Sequence, residues 1–371
     1  ARAPRLATAR AGALASQSRS GAGQEAGMTG RGRKGRVALA WRLCASVTAA
    51  VACVALCCFE LAARAEELEG AFVGWGGEIT RSGGARAALV LSNGEAMPAV
   101  GFGTCLGSQT FAAVTSALES GYKLLDTAQA REWYDEDEVA RAFLASGVDR
   151  EGIWITTKLH PKDLGYDSTL EAVKRSMERF HTGYIDLFLL HYPRCWESLC
   201  GKEHMPKGTW RESWRALEAA YAAGHVRAIG VSNFSPDELR ELAAFAKEGP
   251  HVVQSWADPL HQGRQERAAA KSIGAAYTAY SSLGTQWNER PNPVLAHPVL
   301  MRIGAEHNVT SAEVALAWAL ARGMAVIPRS ASASHQRASL RAAGLELSDD
   351  EVAAIDELDG THARARRVRS S

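Results

Sequence analysis

The chain lacks an excess of charge of either sign: 42 lysines and arginines nearly balance 41 aspartates and glutamates, for a formal net charge of +1. Proteins that bind nucleic acid usually carry a basic face or stripe, and the one basic cluster after the predicted domain lies in the last residues, at 364–369. We therefore expect no nucleic-acid partner. Disorder is also excluded for most of the chain, because 46% of its residues are hydrophobic and only 22% are charged.

Cysteine is scarce and has no metal-ligand spacing. Four of the seven cysteines fall inside one apolar segment near the N-terminus, and the other three are Cys105, Cys195 and Cys200. This odd number without a zinc pattern predicts neither a disulfide framework nor a metal site.

Long hydrophobic runs are also rare, and the one near the N-terminus has the features of a targeting segment. Residues 1–27 are small, polar and dotted with arginine, so we interpret Met28 as the true start. A basic stretch, an uncharged run at 43–59 and an Ala-Arg-Ala site at 63–65 then follow in the order typical of a signal peptide. The run is near the lower limit of about 17 to 25 residues for a membrane-spanning helix, so a membrane anchor, a transit peptide or a disordered leader stays open. The predicted segments are a leader at 1–27, a signal peptide or anchor at 28–66, a glycine-rich linker at 67–86, a folded domain at 87–360 and a basic tail at 361–371.

From Ala87 the sequence alternates short apolar runs with amphipathic segments. Asn93-Gly94 between two apolar stretches predicts a β-hairpin. Eight apolar runs typical of strands buried on both faces then alternate with helical patterns: AVGFG, YKLLDT, IWITTK, IDLFLLH, VRAIGVSN, VVQSW, AAYTAYS and MAVIPRS. Eight repeats over about 250 residues predict an α/β fold, a (β/α)8 TIM barrel with an N-terminal β-hairpin and a C-terminal helix. A doubly wound sheet is disfavoured, because no G-x-G-x-x-G follows a strand.

Polar side chains end successive predicted strands. Catalytic groups of such barrels lie at the carboxyl ends of strands, so these side chains should meet at one rim. They are Asp126, Lys158, His191, Ser232, Asn233, Gln254, Tyr280, Arg329 and Ser330. Any one of them alone could be a helix cap, a solvent-facing cation or a buried core residue, whereas together they favour an active site.

Eight sequence blocks resemble those of the aldo-keto reductases and follow that family's order, from about Met97 to about Ile355. The blocks are MPAVGFGT, LLDTA, ITTKLHP, YIDLFLLHYP, IGVSNF, VVQSWADP, YTAYSSLG and VALAWALARGMAVIPRS. The resemblance implies an NADPH-dependent oxidoreductase of the alcohol dehydrogenase or aldehyde reductase type, which reduces aldehydes or ketones to alcohols by hydride transfer. Three members of the family's catalytic tetrad match Asp126, Lys158 and His191.

The fourth tetrad member, a tyrosine, departs from the family's spacing. The family usually has it five residues after the aspartate and three before a glutamate, and these positions hold Arg131 and, if Glu136 is that glutamate, Trp133. Tryptophan has no acidic proton to donate and arginine stays charged, so Tyr134 in the inserted loop is the predicted general acid. The alternative is that Tyr134 only covers a helix end.

Hydride addition to a carbonyl builds negative charge on oxygen, which must be stabilised and protonated. A phenol has an ordinary pKa of about 10, so we expect the ammonium of Lys158 to favour the phenolate, with Asp126 holding that ammonium by a charge-assisted hydrogen bond. His191 would orient the carbonyl. A Schiff-base barrel is the competing interpretation of Lys158, but it does not explain the amide and aromatic groups on later strands.

The resemblance also implies a nicotinamide cofactor, with NADPH expected over NADH. The residues that match cofactor-binding positions are Ser232, Asn233 and Gln254 at the carboxamide, Tyr280 stacked on the ring, Ser281 and Leu283 along the pyrophosphate, and Arg329, Ser330, Ser332 and His335 towards the 2′-phosphate. The family commonly has arginine at His335 and asparagine at Ser339, and Arg337 is a candidate to compensate. Ser235 ahead of Pro236 is expected to cap a helix.

The family's aromatic wall positions read Cys105, His160 and Tyr192, and no long loop follows the last helix, so we expect an open pocket for a small carbonyl substrate. We expect a monomer. A low-turnover nucleotide-binding sensor or scaffold that retains the barrel is the alternative function.

The localisation signals conflict. The leader favours a membrane-associated or organelle-targeted protein, in the plastid or the endomembrane system. Translocation into a secretory lumen would expose two glycosylation acceptors, at Asn233 and Asn308. Because a glycan on Asn233 would block the cofactor, we expect the barrel in a reducing compartment.

Overall fold

The computed structural model describes residues 79–80 and 87–362, which fall within one compact unit. The predicted leader at 28–66, with its apolar run at 43–59, lies outside the described residues. Among the residues that are described, no helix is long and apolar enough to cross a membrane.

Eleven strands form two sheets in the described part of the chain. The smaller sheet is antiparallel and contains β1 (Ile79–Thr80), β2 (Ala88–Val90) and β3 (Ala96–Pro98). The larger sheet is parallel, and its strands lie in chain order: β4 (Phe102–Gly103), β5 (Leu124–Asp126), β6 (Trp154–Leu159), β7 (Ile185–Leu190), β8 (Val226–Ser232), β9 (Val252–Trp256), β10 (Ala276–Tyr280) and β11 (Met324–Val326).

The large sheet closes on itself between its first and last strands. Val100 forms a parallel bridge with Val326, and the Gly101 amide donates to the Val326 carbonyl at 2.8 Å. Gly103 permits this closure, because a Cβ atom there would lie 2.7 Å from the Ile327 carbonyl oxygen. The (β/α)8 barrel predicted from the apolar runs is confirmed.

Helices follow the strands and bury one face against them. They are α1 (Thr110–Ser120), α2 (Glu136–Ser146), α3 (Tyr166–Arg179), α4 (Glu197–Cys200), α5 (Trp210–Ala222), α6 (Pro236–Phe245), α7 (Arg264–Ser272), α8 (Pro298–Glu306), α9 (Ser311–Ala321), α10 (Ala333–Arg341) and α11 (Asp349–Asp356). The expected cap at Ser235 is present: its hydroxyl accepts from the Glu238 amide, and Glu238 bonds back to complete a capping box.

The predicted hairpin closes one end of the barrel. Leu89, Leu91 and Met97 are buried against Leu124 and Trp154, which begin their strands. The hairpin therefore covers the amino ends of the strands and leaves the carboxyl ends open. β1 extends its sheet by one strand and lies inside the segment predicted as linker.

The expectation of no disulfide is wrong for one pair. Cys195 and Cys200, after β7, are joined by a disulfide with their Cα atoms 6.3 Å apart, and Cys105 is a free thiol. The turn into α4 brings the two cysteines together, which an odd cysteine count cannot reveal.

Candidate active site

A cleft of about 370 Å³ opens at the carboxyl ends of the barrel strands. Most of the side chains predicted to meet at this rim line it. Its lining includes Asp126, Tyr134, His191, Ser232, Asn233, Gln254, Tyr280, Ser281, Leu283 and Arg329, together with Cys105, Trp133 and Tyr192. Lys158, at the end of β6, is buried below the cleft.

Asp126 and Lys158 form a buried ion pair on adjacent strands, with Nζ 2.5 Å from Oδ1. The same ammonium donates to the Thr127 carbonyl at 2.9 Å. The second Asp126 oxygen accepts from Gln254 Nε2 at 2.8 Å. Because both carboxylate oxygens and the ammonium are hydrogen bonded, the pair is held in one geometry despite its burial.

Tyr134 reaches the cleft from the loop between β5 and α2. Its amide donates to the Ala130 carbonyl at 2.9 Å, and Asp135 caps α2 by accepting from the Glu138 amide at 3.1 Å. These contacts set the phenol ring 4.9 Å from the Lys158 ammonium, measured to the ring centroid. Arg131 and Trp133 hold the two positions at which the family's spacing would place the tyrosine. Arg131 pairs with Asp137 outside the cleft, whereas Trp133 lines the cleft.

The Tyr134 phenol is protonated near neutral pH. Burial, and then the nearby Asp126 carboxylate, raises the pKa of Tyr134 well above its ordinary value, and Arg329 acts in the opposite direction. The net direction is therefore opposite to the lowering of the Tyr134 pKa that was expected from Lys158.

His191 is a neutral imidazole within an aromatic cluster. Its ring centroid lies 5.9 Å from that of Tyr134 and 4.9 Å from the stacked ring of Tyr192. Burial, with Lys158 and His160 acting in the same direction, lowers the pKa of His191 well below its ordinary value. Its Nδ1 atom is buried without a hydrogen-bond partner. A neutral imidazole has one N–H, so His191 can donate one hydrogen bond into the cleft.

Three residues predicted to bind the carboxamide lie together at the ends of β8 and β9. Asn233 has a left-handed backbone (φ 60°), and its Nδ2 donates to the His191 carbonyl at 3.0 Å and to Ser232 Oγ at 3.1 Å. Its Oδ1 accepts from the Tyr280 hydroxyl at 2.8 Å. Hydroxyl, amide and ring groups therefore converge where a flat polar ring could bind.

The predicted phosphate-binding residues are not all at the cleft. Arg329 lines it beside Cys105, where an Nη atom donates to the Cys105 carbonyl. Ser330, Ser332 and His335 do not line it. The Ser332 amide donates to Ser330 Oγ at 3.0 Å at the start of α10, and His335 is exposed on that helix.

The substrate wall differs from its family pattern. Cys105 and Tyr192 line the cleft, but His160 is buried outside it, 3.1 Å from Glu132. Trp133 lines the wall and contacts the rings of His191 at 5.8 Å and Tyr192 at 6.2 Å between centroids. No sequence signal distinguished Trp133 as a wall residue, since its direction depends on the conformation of the inserted loop.

Comparisons with known proteins identify the family. The model of the aldo/keto reductase family matches residues 99–360. The chain is 36% identical over 274 residues to the 9,11-endoperoxide prostaglandin H2 reductase of Trypanosoma cruzi, covering 73% of this chain and 91% of that protein. It is 35% identical over 280 residues to the morphine 6-dehydrogenase of Pseudomonas putida, covering 72% and 90%. The structure of a Bombyx mori aldo-keto reductase in complex with NADP aligns with a TM-score of 0.68 at 26% identity, covering 74% and 93%.

The closed parallel barrel with its polar carboxyl rim defines a protein of the TIM-barrel class. The chain belongs to the aldo/keto reductase family.

Proposed function

We propose that this protein is an NADPH-dependent reductase that converts aldehydes or ketones to alcohols, with Tyr134 as the general acid. The observation that carries the proposal is the arrangement of Tyr134 and His191 above the buried Asp126–Lys158 pair, in one cleft. A protonated phenol and a neutral imidazole N–H face the position where a carbonyl oxygen would gain charge.

The proton leaves from Tyr134 in this mechanism. A dihydronicotinamide held by Ser232, Asn233 and Tyr280 would supply the hydride to the carbonyl carbon, and Tyr134 would donate its phenol proton to the carbonyl oxygen. Loss of that proton leaves a phenolate within reach of the Lys158 ammonium, which offsets its charge. Asp126 keeps the ammonium in place, and Gln254 keeps Asp126 in place.

His191 orients the carbonyl in the same scheme. Its low pKa keeps the imidazole neutral at pH 7, so it donates one N–H without placing a second positive charge beside Lys158. Stacking on Tyr192 restricts the ring. The carbonyl oxygen would accept from both His191 and Tyr134, which fixes its orientation to the hydride.

The cleft has the chemistry that a nicotinamide dinucleotide requires. Ser232, Asn233 and Gln254 offer carboxamide partners, and the Tyr280 ring offers a stacking surface. Ser281 and Leu283 follow along the cleft. Arg329, a further lining residue, has a guanidinium suited to a ribose 2′-phosphate, which supports NADPH as the preferred form.

The substrate would be a small carbonyl compound. The side chains of Trp133 and Tyr192 form an apolar wall beside His191, while Cys105 supplies a small side chain at a position where the family usually has an aromatic residue. An open wall of this kind favours a broad range of aldehydes and small ketones.

Turnover tests this proposal directly. The purified protein is mixed with NADPH and a panel of aldehydes, and absorbance at the dihydronicotinamide band is followed for wild type and Tyr134→Phe. We expect consumption by the wild type that the substitution abolishes. Tight NADPH binding without consumption on any substrate would instead favour the sensor or scaffold.

A further inference from the structure

The loop that carries Tyr134 contacts the turn directly after the Lys158 strand through the side chains of Glu132 and His160. A second side-chain hydrogen bond, from the Thr157 hydroxyl to Glu136 Oε1, joins that strand to the start of α2. His160 Nε2 lies 3.1 Å and 3.3 Å from the two carboxylate oxygens of Glu132. Glu132 precedes Tyr134 by two residues, and His160 follows Lys158 by two residues. The contact therefore joins the two segments whose relative position sets the distance between phenol and ammonium.

The hydrogen bonds of His160 fix which of its nitrogens carries the proton. The Lys162 amide donates to Nδ1 at 3.0 Å, so Nδ1 must be the acceptor. In the neutral ring the proton is then on Nε2 and points at the Glu132 carboxylate. The ring is 1% exposed, so the direction of this N–H is fixed by packing as well as by the cap that Nδ1 forms.

The neighbouring ionic contact of the same turn does not cross to another strand. Arg131 pairs with Asp137, at the start of the helix that continues the loop. Glu132 is thus the residue of this turn whose side-chain partner, His160, lies directly after β6. Arg131 provides a matched control: it is adjacent and charged, and its pairing stays within the loop and helix.

We propose that Glu132 and His160 are positioning residues, which hold the Tyr134 loop against the end of β6 and thereby fix the phenol relative to Lys158 and His191. This inference rests on the proposed role of Tyr134 as the acid. It accounts for the position of His160, which is buried outside the cleft at a place where the family's pattern has a wall residue. It also accounts for how an inserted loop presents its tyrosine to a rim that shorter loops reach directly.

The first test is kinetic. We expect Glu132→Ala and His160→Leu each to lower kcat by roughly ten- to a hundredfold, the range that misplacement of a reacting group by about an ångström produces. The KM for NADPH should change little, because neither residue lines the cleft. Glu132→Gln and His160→Gln, which preserve a hydrogen bond between the two positions, should recover most of kcat. Arg131→Ala should stay within about twofold of wild type.

The double variant Glu132→Ala/His160→Leu separates a joint role from two independent ones. Residues that act only through one contact give a double variant no slower than the slower single variant. Additive losses, equal losses in Arg131→Ala, or unchanged kcat in both single variants would overturn the proposal. Glu132 is part-exposed, so Glu132→Ala remains informative if His160→Leu fails to fold.

The second test uses the protein without cofactor or substrate, and so distinguishes failure of this inference from failure of the proposed reductase activity. The amides of Trp133 and Tyr134 both donate to the Ala130 carbonyl. Hydrogen exchange at these amides should be at least severalfold faster in Glu132→Ala than in Arg131→Ala. Equal exchange rates in the two variants would refute the positioning role of the Glu132–His160 contact, even if the wild type is active. Faster exchange in Glu132→Ala would support that role, even if no substrate were turned over.

Discussion

The Tyr280 hydroxyl donates a 2.8 Å hydrogen bond to Asn233 Oδ1, and Asn233 Nδ2 donates in turn to the His191 carbonyl at 3.0 Å. Both Nδ2 hydrogens of Asn233 are therefore used within the protein, since Nδ2 also donates to Ser232 Oγ. Asn233 Oδ1 keeps a second lone pair, so a carboxamide N–H can bind it beside the Tyr280 hydroxyl, while the Tyr280 ring remains available for stacking.

Tyr280→Phe and Tyr280→Ala should differ in their effect on cofactor affinity. The phenylalanine keeps the ring, so we expect NADPH to bind within about threefold of wild type. The alanine removes the stacking surface, so we expect about ten- to a hundredfold weaker binding, the equivalent of about 1.4 to 2.8 kcal/mol. Fluorescence titration with NADPH measures both. Equal losses in the two variants would contradict the stacking role of the ring.

Tyr134→Phe and Lys158→Met should each lower turnover by orders of magnitude while NADPH affinity changes little. Both act on charge at the carbonyl oxygen, and neither is expected to contact the nucleotide. Lys158→Met should also destabilise the fold by about 3 to 5 kcal/mol, because it leaves the buried Asp126 carboxylate without its cation. Urea unfolding alongside the kinetics separates the two effects. Near-normal rates in Tyr134→Phe would mean that another group supplies the proton.

Arg329→Ala should weaken NADPH binding far more than NADH binding. Arg329 is exposed and lines the cleft, and only NADPH carries the additional phosphate that a guanidinium would bind. We expect a tenfold or greater selective loss, with Arg240→Ala as the control, since Arg240 is an exposed arginine that pairs with Asp237 and does not line the cleft. Titration of each variant with both nucleotides provides the comparison. Equal losses for NADPH and NADH would remove the phosphate role of Arg329.

Stability should fall between pH 7.5 and pH 5.5. Burial lowers the pKa of four histidines, which are His160, His191, His251 and His297. Below the ordinary histidine pKa of about 6.5 the unfolded chain then binds more protons than the folded one, so the free energy of unfolding decreases as the pH decreases. Urea midpoints at the two pH values measure this decrease.

A single variant isolates one of these histidines. The side chain of His297 caps α8 by accepting from the Val299 amide, and asparagine caps helices well, so His297→Asn keeps the cap and removes the titration. We expect nearly unchanged stability at pH 7.5 and a smaller loss at pH 5.5. An undiminished loss would show that His297 does not contribute.

We propose that the barrel faces a reducing compartment, so that Asn308 carries no glycan in the native cell. Asn308 is exposed, and it is the accessible acceptor if the domain is translocated. The Cys195–Cys200 disulfide is a feature more typical of oxidising compartments, so the glycan is measured independently of it. Glycosidase digestion of protein from native cells is the measurement: a mass shift from a glycan on Asn308 would contradict the proposal.

The order of apolar runs and helical patterns was enough to predict the barrel and its hairpin. Strands buried on both faces read as continuous apolar runs, and parallel strands bring their carboxyl ends to one rim. For that reason the meeting of Asp126, Lys158 and His191 followed from sequence positions alone. Each is attached at or next to a strand end, where the backbone leaves little freedom of placement.

The tertiary structure alone decided the features that depend on loops. The loop directs Trp133 and Tyr134 into the cleft and leaves Arg131 outside it. These directions depend on the turn closed at Ala130 and on the contact between Glu132 and His160. The disulfide of Cys195 depends on the turn into α4. The Gln254–Asp126 hydrogen bond joins residues 128 positions apart along the chain. The periodicity of apolar residues encodes which face of a helix or strand is buried. The direction of a loop and the contacts between distant segments are set only after the helices and strands have packed, because that packing fixes where each loop begins and ends.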